Sequence, residues 1–230
     1  MVTNVDPQLI CQAQIFHGLE FVHLQQVTRY LKLETYPARV NFINVGLPDD
    51  TVFFILRGTV KIHIQHPDGK DVILAILKSG DIVGELNVVD HEVRSATAIT
   101  REESTLVWME RSAFEHCLET IPKLAINLVQ VLGRRLRLAN AQIRSLSVQD
   151  VFGRVARQIL AFAQEYGETL ETGDQKISLQ LTQSEIAGLV GATRKSVNEV
   201  ISFYKESGYI AEKSRYYIIH NKDALARRCK

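Results

Sequence analysis

The sequence is poor in cysteine, with three in 230 residues: Cys11, Cys117 and Cys229. They are far apart, odd in number and form no CxxC pair or zinc or iron–sulfur ligand set. A disulfide scaffold and a metal-cluster sensor are therefore not expected, and three reduced thiols remain. The seven histidines form no ligand pattern either, and His63 and His66, in a strand and its turn, read as surface residues, so no metal is expected. No apolar run is long enough to cross a bilayer. Met1-Val2-Thr3-Asn4-Val5-Asp6 also lacks the basic-then-apolar pattern of a secretory signal. A cytoplasmic protein with no membrane partner is expected. Internal repeats, low-complexity tracts, a P-loop and a nucleophile–base set are missing too, which argues against an enzyme.

What is present begins with length enough for two modest domains. The net charge of +1 hides an asymmetry. Residues 176–230 hold ten Lys/Arg against five Asp/Glu, while the rest of the chain holds 17 against 21. A basic end on an acidic body suggests that the C-terminal part faces a polyanion.

Three textures follow one another. Residues Leu9 to Leu33 carry helix-like spacing, with Phe16, Leu19, Phe21, Leu24 and Val27 punctuated by Gly18. From Leu33 to Met109 come short β-branched and aromatic runs, namely Val52–Leu56, Val60–Ile64, Val72–Leu77, Ala96–Thr100 and Thr105–Met109. Turn signals separate them, among them the hairpin turn Pro67-Asp68-Gly69. Such spacing predicts an antiparallel sandwich or barrel.

After Met109 the texture turns helical. Ala125, Val129, Leu132, Leu136, Ala139, Ile143 and Leu146 recur at intervals of four and three, a narrow a/d seam with Arg134, Arg135, Arg137 and Gln142 off it. A seam so regular predicts a helix over about 122–147 that pairs in parallel with its copy in a homodimer. Ser147-Val148-Gln149-Asp150 breaks the pattern, and Asp150 suits the N-cap of a helix running to about Tyr166. The domain boundary and hinge are placed here, giving residues 1–147 and 148–230. The polar stretch Gly167–Asp174 reads as a loop.

Near the C-terminus, Thr182-Gln183-Ser184-Glu185 is a capping box. It opens a helix with Ile186, Ala187, Leu189 and Val190 inward, and Gly191 supplies a tight turn. A second helix from about Thr193 turns Val197, Val200, Ile201 and Tyr204 inward. Two short strands around Glu212-Lys213-Ser214-Arg215 then form a wing. A helix, a glycine turn and a helix with a basic first turn is the helix-turn-helix pattern. Its expected DNA-facing residues are Thr182, Thr193, Arg194, Lys195, Ser196, Asn198, Glu199, Lys213 and Arg215.

The remaining chemistry lies in Gly84-Glu85-Leu86 and Arg94-Ser95-Ala96-Thr97. A cyclic nucleotide offers a phosphodiester anion and a ribose 2′-hydroxyl. Arg94 suits the phosphate, with Ser95 adding a hydroxyl and a backbone N–H. Glu85 suits the hydroxyl, and Gly84 allows close backbone approach. Together with Gly69-Lys70-Asp71-Val72-Ile73-Leu74 and the C-terminal pattern, these residues resemble the Crp–Fnr superfamily, in its cyclic-AMP-receptor branch. The resemblance covers about Phe16 to Ile219.

The resemblance implies an α+β chain with an N-terminal jelly-roll β-barrel, a long dimerisation helix and a C-terminal winged helix-turn-helix. It implies a transcription regulator that binds double-stranded DNA under the control of cyclic AMP (cyclic GMP or another ligand being the alternative) and works with RNA polymerase. Gly84, Glu85, Leu86, Arg94, Ser95 and Ala96 would then surround ribose and phosphate. Ala139 and Asn140 fall where the family contacts the base, usually with Thr then Ser. Two positions depart in the second helix: Lys195 stands where Glu is frequent, and Glu199 where a base is. Glu accepts from cytosine N4 and Lys only donates, so the familiar half-site is not implied. Two other functions stay open: a regulator of this type with a different ligand or none, and a cyclic-nucleotide-regulated enzyme subunit. The second has too few residues after Asp150 for a catalytic domain.

Overall fold

The computed structural model describes residues 5–47, 49–65 and 71–229. The chain separates into two compact units, one of residues up to 137 save Asp71 and Val72, and one of those two together with residues from 138 onward.

The first unit opens with α1 (Pro7–Ile10), whose N-cap Asp6 accepts the Gln8 amide at 2.9 Å, a 3-10 turn at Gln14–Phe16, and α2 (Phe21–Thr28). The helix-like stretch from Leu9 to Leu33 is thus corrected to short pieces. Gly18 takes φ +71°, a left-handed conformation that ends helical continuity, and Lys32–Tyr36 is already a strand, β1. The strands continue with β2 (Asn41–Ile43), β3 (Thr51–Arg57), β4 (Thr59–Gln65), β5 (Asp71–Lys78) and β6 (Ile82–Val83). After a short helix, α3 (Glu85–Asp90), come β7 (Thr97–Thr100) and β8 (Ser104–Glu110). The five apolar runs expected as strands are β3, β4, β5, β7 and β8. The expected turn at Pro67-Asp68-Gly69 lies outside the described residues.

These strands form two four-stranded sheets, ordered β1-β8-β3-β6 and β2-β7-β4-β5, the two sheets of a jelly roll. β3 explains its own sequence. Phe53 and Ile55 point between the sheets, with Ile43, Val60, Val83, Ala98 and Leu106. Val52 and Phe54 point the other way, into a core shared with Ile82, Val107 and Met109 and with the helices. Both faces of the strand are buried, so Val52-Phe53-Phe54-Ile55 is continuously apolar instead of alternating.

Two helices complete the unit, α4 (Arg111–Thr120) and α5 (Pro122–Val148), separated at Ile121. Pro122 lacks the N–H that would continue α4 and suits a helix's first turn. On α5, Leu124, Leu128 and Val131 are buried in the unit's core, and Asn127 donates to the carbonyls of Ile15 and His17 at 2.8 and 2.9 Å. The helix is unbroken; its residues through Arg137 count with the first unit and those from Leu138 with the second.

In the second unit, Asp150 caps α6 (Val151–Tyr166) by accepting the Gly153 amide at 2.8 Å, as its sequence position suggested. Gln149 is buried and held by Ser145, Arg154, Arg157 and the Cys229 carbonyl. Then come β9 (Gly167–Thr169), β10 (Gln175–Ile177), α7 (Gln183–Val190), α8 (Arg194–Glu206), β11 (Ile210–Lys213), β12 (Tyr216–Ile219) and α9 (Lys222–Arg228). The expected loop over Gly167–Asp174 is corrected: its first three residues are β9, paired with β10, and β10 in turn pairs with β12. The sheet runs β11-β12-β10-β9.

Candidate ligand site and nucleic-acid interface

Gly84 lies between β6 and α3 with φ +85° and serves as the N-cap of α3. A Cβ there would stand 2.3 Å from the Arg94 Nη1 and 3.1 Å from the Thr51 carbonyl oxygen, so glycine is required both by conformation and by space. The bare backbone lets the Arg94 side chain lie flat against it.

Arg94 is 3% exposed, and its five N–H groups can be counted individually. Nη1 donates to the Gly84 carbonyl at 2.9 Å and to Asn87 Oδ1 at 2.5 Å. Nη2 donates to the Thr51 carbonyl at 2.5 Å and pairs with the Asp49 carboxylate at 3.1 Å. The fifth, Nε, is buried and has no partner among the described residues. An unpaired buried donor on a cation is costly, about 1–3 kcal/mol or more, and an anion at this point would remove that cost.

Glu85 is 2% exposed. Its carboxylate is paired with Arg135 of α5, which also donates to the Ile82 carbonyl at 2.5 Å. Arg135, which lies off the α5 seam, turns toward the barrel. Gly84, Glu85, Leu86, Arg94, Ser95 and Ala96 all line one cavity with Asn87 and Arg135, above an apolar floor that includes Ile43, Ile62 and Leu77. Leu86 and Ser95 are exposed at its rim, and Ala96 is half-buried. Asp49, Thr51, Asn87 and Arg135 are the residues that sequence reasoning missed. Ala139 and Asn140 are exposed on α5 and are not among the residues lining this cavity.

The seam of α5 is largely uncovered: Val129, Leu136 and Ile143, spaced seven apart, are 68%, 62% and 62% exposed, whereas Ala125 and Leu132 are half-buried in the first unit. The helix thus carries two apolar stripes, one spent on its own unit and one facing out.

In the second unit the capping box is complete. Thr182 Oγ1 accepts the Glu185 amide at 3.1 Å, and Glu185 accepts the Thr182 amide at 2.9 Å. Gly191 closes α7 with φ +60°, and Thr193 caps α8 by accepting the Ser196 amide at 3.1 Å. Val197, Val200, Ile201 and Tyr204 are buried, which leaves Arg194, Lys195, Asn198 and Glu199 exposed. Gln183 donates to Asn198 Oδ1 at 3.0 Å and so ties α7 to the exposed face of α8. At the wing, Lys213 pairs with Tyr216 across a two-residue turn. Its residues Ser214 and Arg215 both take positive φ, 51° and 66°, as a type I′ turn requires. Lys213 and Arg215 are exposed.

Among the described residues, no group of three or more His, Cys, Asp or Glu side chains could hold a metal ion, and no helix is long and apolar enough to cross a membrane. All three cysteines are free; burial pushes the Cys117 thiol up to about 11.

A helix-turn-helix with a charged wing, in one chain with a β-sandwich cavity, belongs to the class of ligand-sensing DNA-binding regulators. Comparisons with known proteins agree. Residues 33–121 match the cyclic nucleotide-binding domain and residues 153–228 the Crp-like helix-turn-helix domain. The chain is 35% identical over 223 residues to the CRP-like cAMP-activated global transcriptional regulator of Mycobacterium tuberculosis, covering 97% of this chain and 99% of that one. It is 28% identical over 209 residues to the cAMP-activated global transcriptional regulator Vfr of Pseudomonas aeruginosa, covering 89% and 97%. Among solved structures, a CooA mutant from Carboxydothermus hydrogenoformans superposes with a TM-score of 0.78 at 21% identity, covering 100% and 98%. The c-di-GMP-responsive regulator CLP of Xanthomonas campestris gives 0.76 at 19%, covering 87% and 99%; these two likenesses concern the fold. The chain belongs to the Crp–Fnr family of transcription regulators. It is a DNA-binding transcription regulator with a cyclic-nucleotide-binding domain, not an enzyme.

Proposed function

We propose that cyclic AMP switches DNA binding by this protein. The observation that carries the reading is Arg94, a buried guanidinium with one donor left over, in the same cavity as the buried carboxylate of Glu85. The phosphate takes Arg94 and Ser95, and the 2′-hydroxyl donates to Glu85. Gly84, Leu86 and Ala96 supply close walls. Asn140, with Ala139 beside it in sequence, is the residue assigned to the base. The M. tuberculosis and P. aeruginosa relatives are cAMP-activated, which favours cyclic AMP over cyclic GMP.

The protein works in the cytoplasm as a homodimer whose α5 helices pair in parallel along the seam. Residues 1–147 form the sensor and 148–230 the reader. Thr182, Thr193, Arg194, Lys195, Ser196, Asn198 and Glu199 face the DNA from the helix-turn-helix, Lys213 and Arg215 from the wing, and RNA polymerase is the further partner. Paired recognition helices enter successive major grooves roughly 34 Å apart. The nucleotide's leverage is its differential affinity for two settings of the reader, typically about 1–3 kcal/mol.

The test is calorimetric titration with cyclic AMP and with cyclic GMP, on the wild type and Arg94→Ala. Alongside it, affinity for a DNA fragment selected from a random pool is measured at fixed salt with and without cyclic AMP. The expected result is cyclic AMP binding that Arg94→Ala abolishes, and tighter DNA binding with the nucleotide. Equal DNA affinities under both conditions refute a cyclic-AMP switch. Ala139, which has no hydroxyl for a purine edge, favours a different effector in that case.

A further inference from the structure

We infer that Asp49 is a built-in competitor of the ligand's phosphate, setting nucleotide affinity by holding the Arg94 nitrogen that the phosphate needs; the inference rests on the cyclic-nucleotide reading above. A guanidinium is planar, and an anion grips its side through Nε–H together with the adjacent Nη2–H. Nε is the free donor of Arg94. Nη2 is not free: its two hydrogens are shared among the Thr51 carbonyl at 2.5 Å, the Asp49 carboxylate at 3.1 Å and, more weakly, the Thr51 hydroxyl oxygen at 3.3 Å. A phosphate that takes Nε therefore gains the second arm of the fork only when one of these acceptors yields.

The two nearer acceptors differ in what they can do. The Thr51 carbonyl is backbone, in the first residue of β3, which pairs with Glu110. The Asp49 carboxylate is a side chain with 27% of its surface exposed, so water is within its reach. It is nonetheless positioned, since it accepts from the Thr51 amide at 3.1 Å and the Thr51 hydroxyl at 2.5 Å. An anion fixed beside the phosphate subsite opposes a second anion by charge and by occupancy together. Orientation of Arg94 does not depend on it, because the Gly84 carbonyl, Asn87 Oδ1 and the carbonyl and hydroxyl of Thr51 remain as neutral acceptors.

The experiment titrates cyclic AMP and cyclic GMP into full-length wild type, Asp49→Asn, Asp49→Ala, Arg94→Ala and the double variant Asp49→Asn with Arg94→Ala, at one salt concentration. Both Asp49 variants are expected to bind each nucleotide about tenfold more tightly. Competition at the phosphate is blind to the base, so the ratio of the two affinities stays that of the wild type. A wild type too weak to measure, with Arg94-dependent binding appearing in the variants, supports the inference equally. Unchanged or weaker binding in both Asp49 variants, or tightening for one nucleotide alone, overturns it while leaving the site in place if Arg94→Ala still abolishes binding. No binding by any form, or binding indifferent to Arg94→Ala, overturns the nucleotide reading itself and this inference with it.

Discussion

Replacing Gly84 by alanine separates the two reasons for a glycine there. Alanine at φ +85° pays for a left-handed backbone, roughly 1–2 kcal/mol. The new Cβ also overlaps the Arg94 Nη1, 2.3 Å away. That nitrogen must give up one of its two bonds, to the Gly84 carbonyl or to Asn87, and a hydrogen bond from a charged donor is worth about 1.5–3 kcal/mol. Together these give about 3–5 kcal/mol. Gly46 is the control, in the same unit, with φ +76° and nothing within 4 Å of its would-be Cβ. There only the backbone cost applies, about 1 kcal/mol. The one tryptophan of the chain, Trp108, lies in β8, so its fluorescence during urea unfolding reports this unit. With a slope of about 2 kcal/mol/M, the midpoint falls by about 2 M for Gly84→Ala and about 0.5 M for Gly46→Ala. Equal midpoints for the two variants would refute the claim that Arg94 is packed against this backbone.

Other outcomes follow from the same geometry. Thr182→Ala breaks the capping box and costs about 1 kcal/mol, seen as faster hydrogen exchange of the amides in Ile186–Val190. Leu136→Asp, on the exposed seam, is expected to give a folded monomer in sedimentation at micromolar concentration; a persistent dimer would move the pairing surface elsewhere. With a thiol reagent at pH 8, exposed Cys11 reacts first. Cys117, buried and with its thiol near 11, is about one part in a thousand thiolate and reacts only on unfolding. Arg215→Gly suits the left-handed turn and raises stability by about 1 kcal/mol in denaturant, while lowering DNA affinity evenly across sequences and flattening its salt dependence.

What could be read from the sequence is what is written locally. The box Thr182–Glu185, Gly191 and the cap Asp150 each act within one turn, and their structures follow the residues directly. β3 and β8 are legible because their apolar runs are long and bounded. β9 is not: Gly167, Glu168 and Thr169 are all exposed, and their strand exists because Gln175, Lys176 and Ile177, distant in the pattern, pair with them. The cavity divides the same way. Gly84, Glu85 and Arg94 stand out as a motif. Asp49 and Thr51 meet Arg94 across more than 40 residues, and Arg135 reaches Glu85 across 50, with no spacing to announce either. Arg135 also sits one position from the seam residue Leu136, where a cation ordinarily means solvent.

The second apolar stripe of α5 has a consequence for cells that hold two versions of this gene product. With Val129, Leu136 and Ile143 as the pairing surface, partner choice is made on α5, whatever the state of the recognition helix. A copy carrying Arg194→Ala therefore still recruits an intact one. The mixed pair keeps one good recognition helix and loses most of the gain in effective concentration that two linked contacts provide. At equal synthesis about half of all pairs are mixed and about a quarter intact, on random pairing of identical seams. On the proposed pairing, a defect confined to the reader is expected to be dominant over the unmutated copy, and one that ruins the seam recessive.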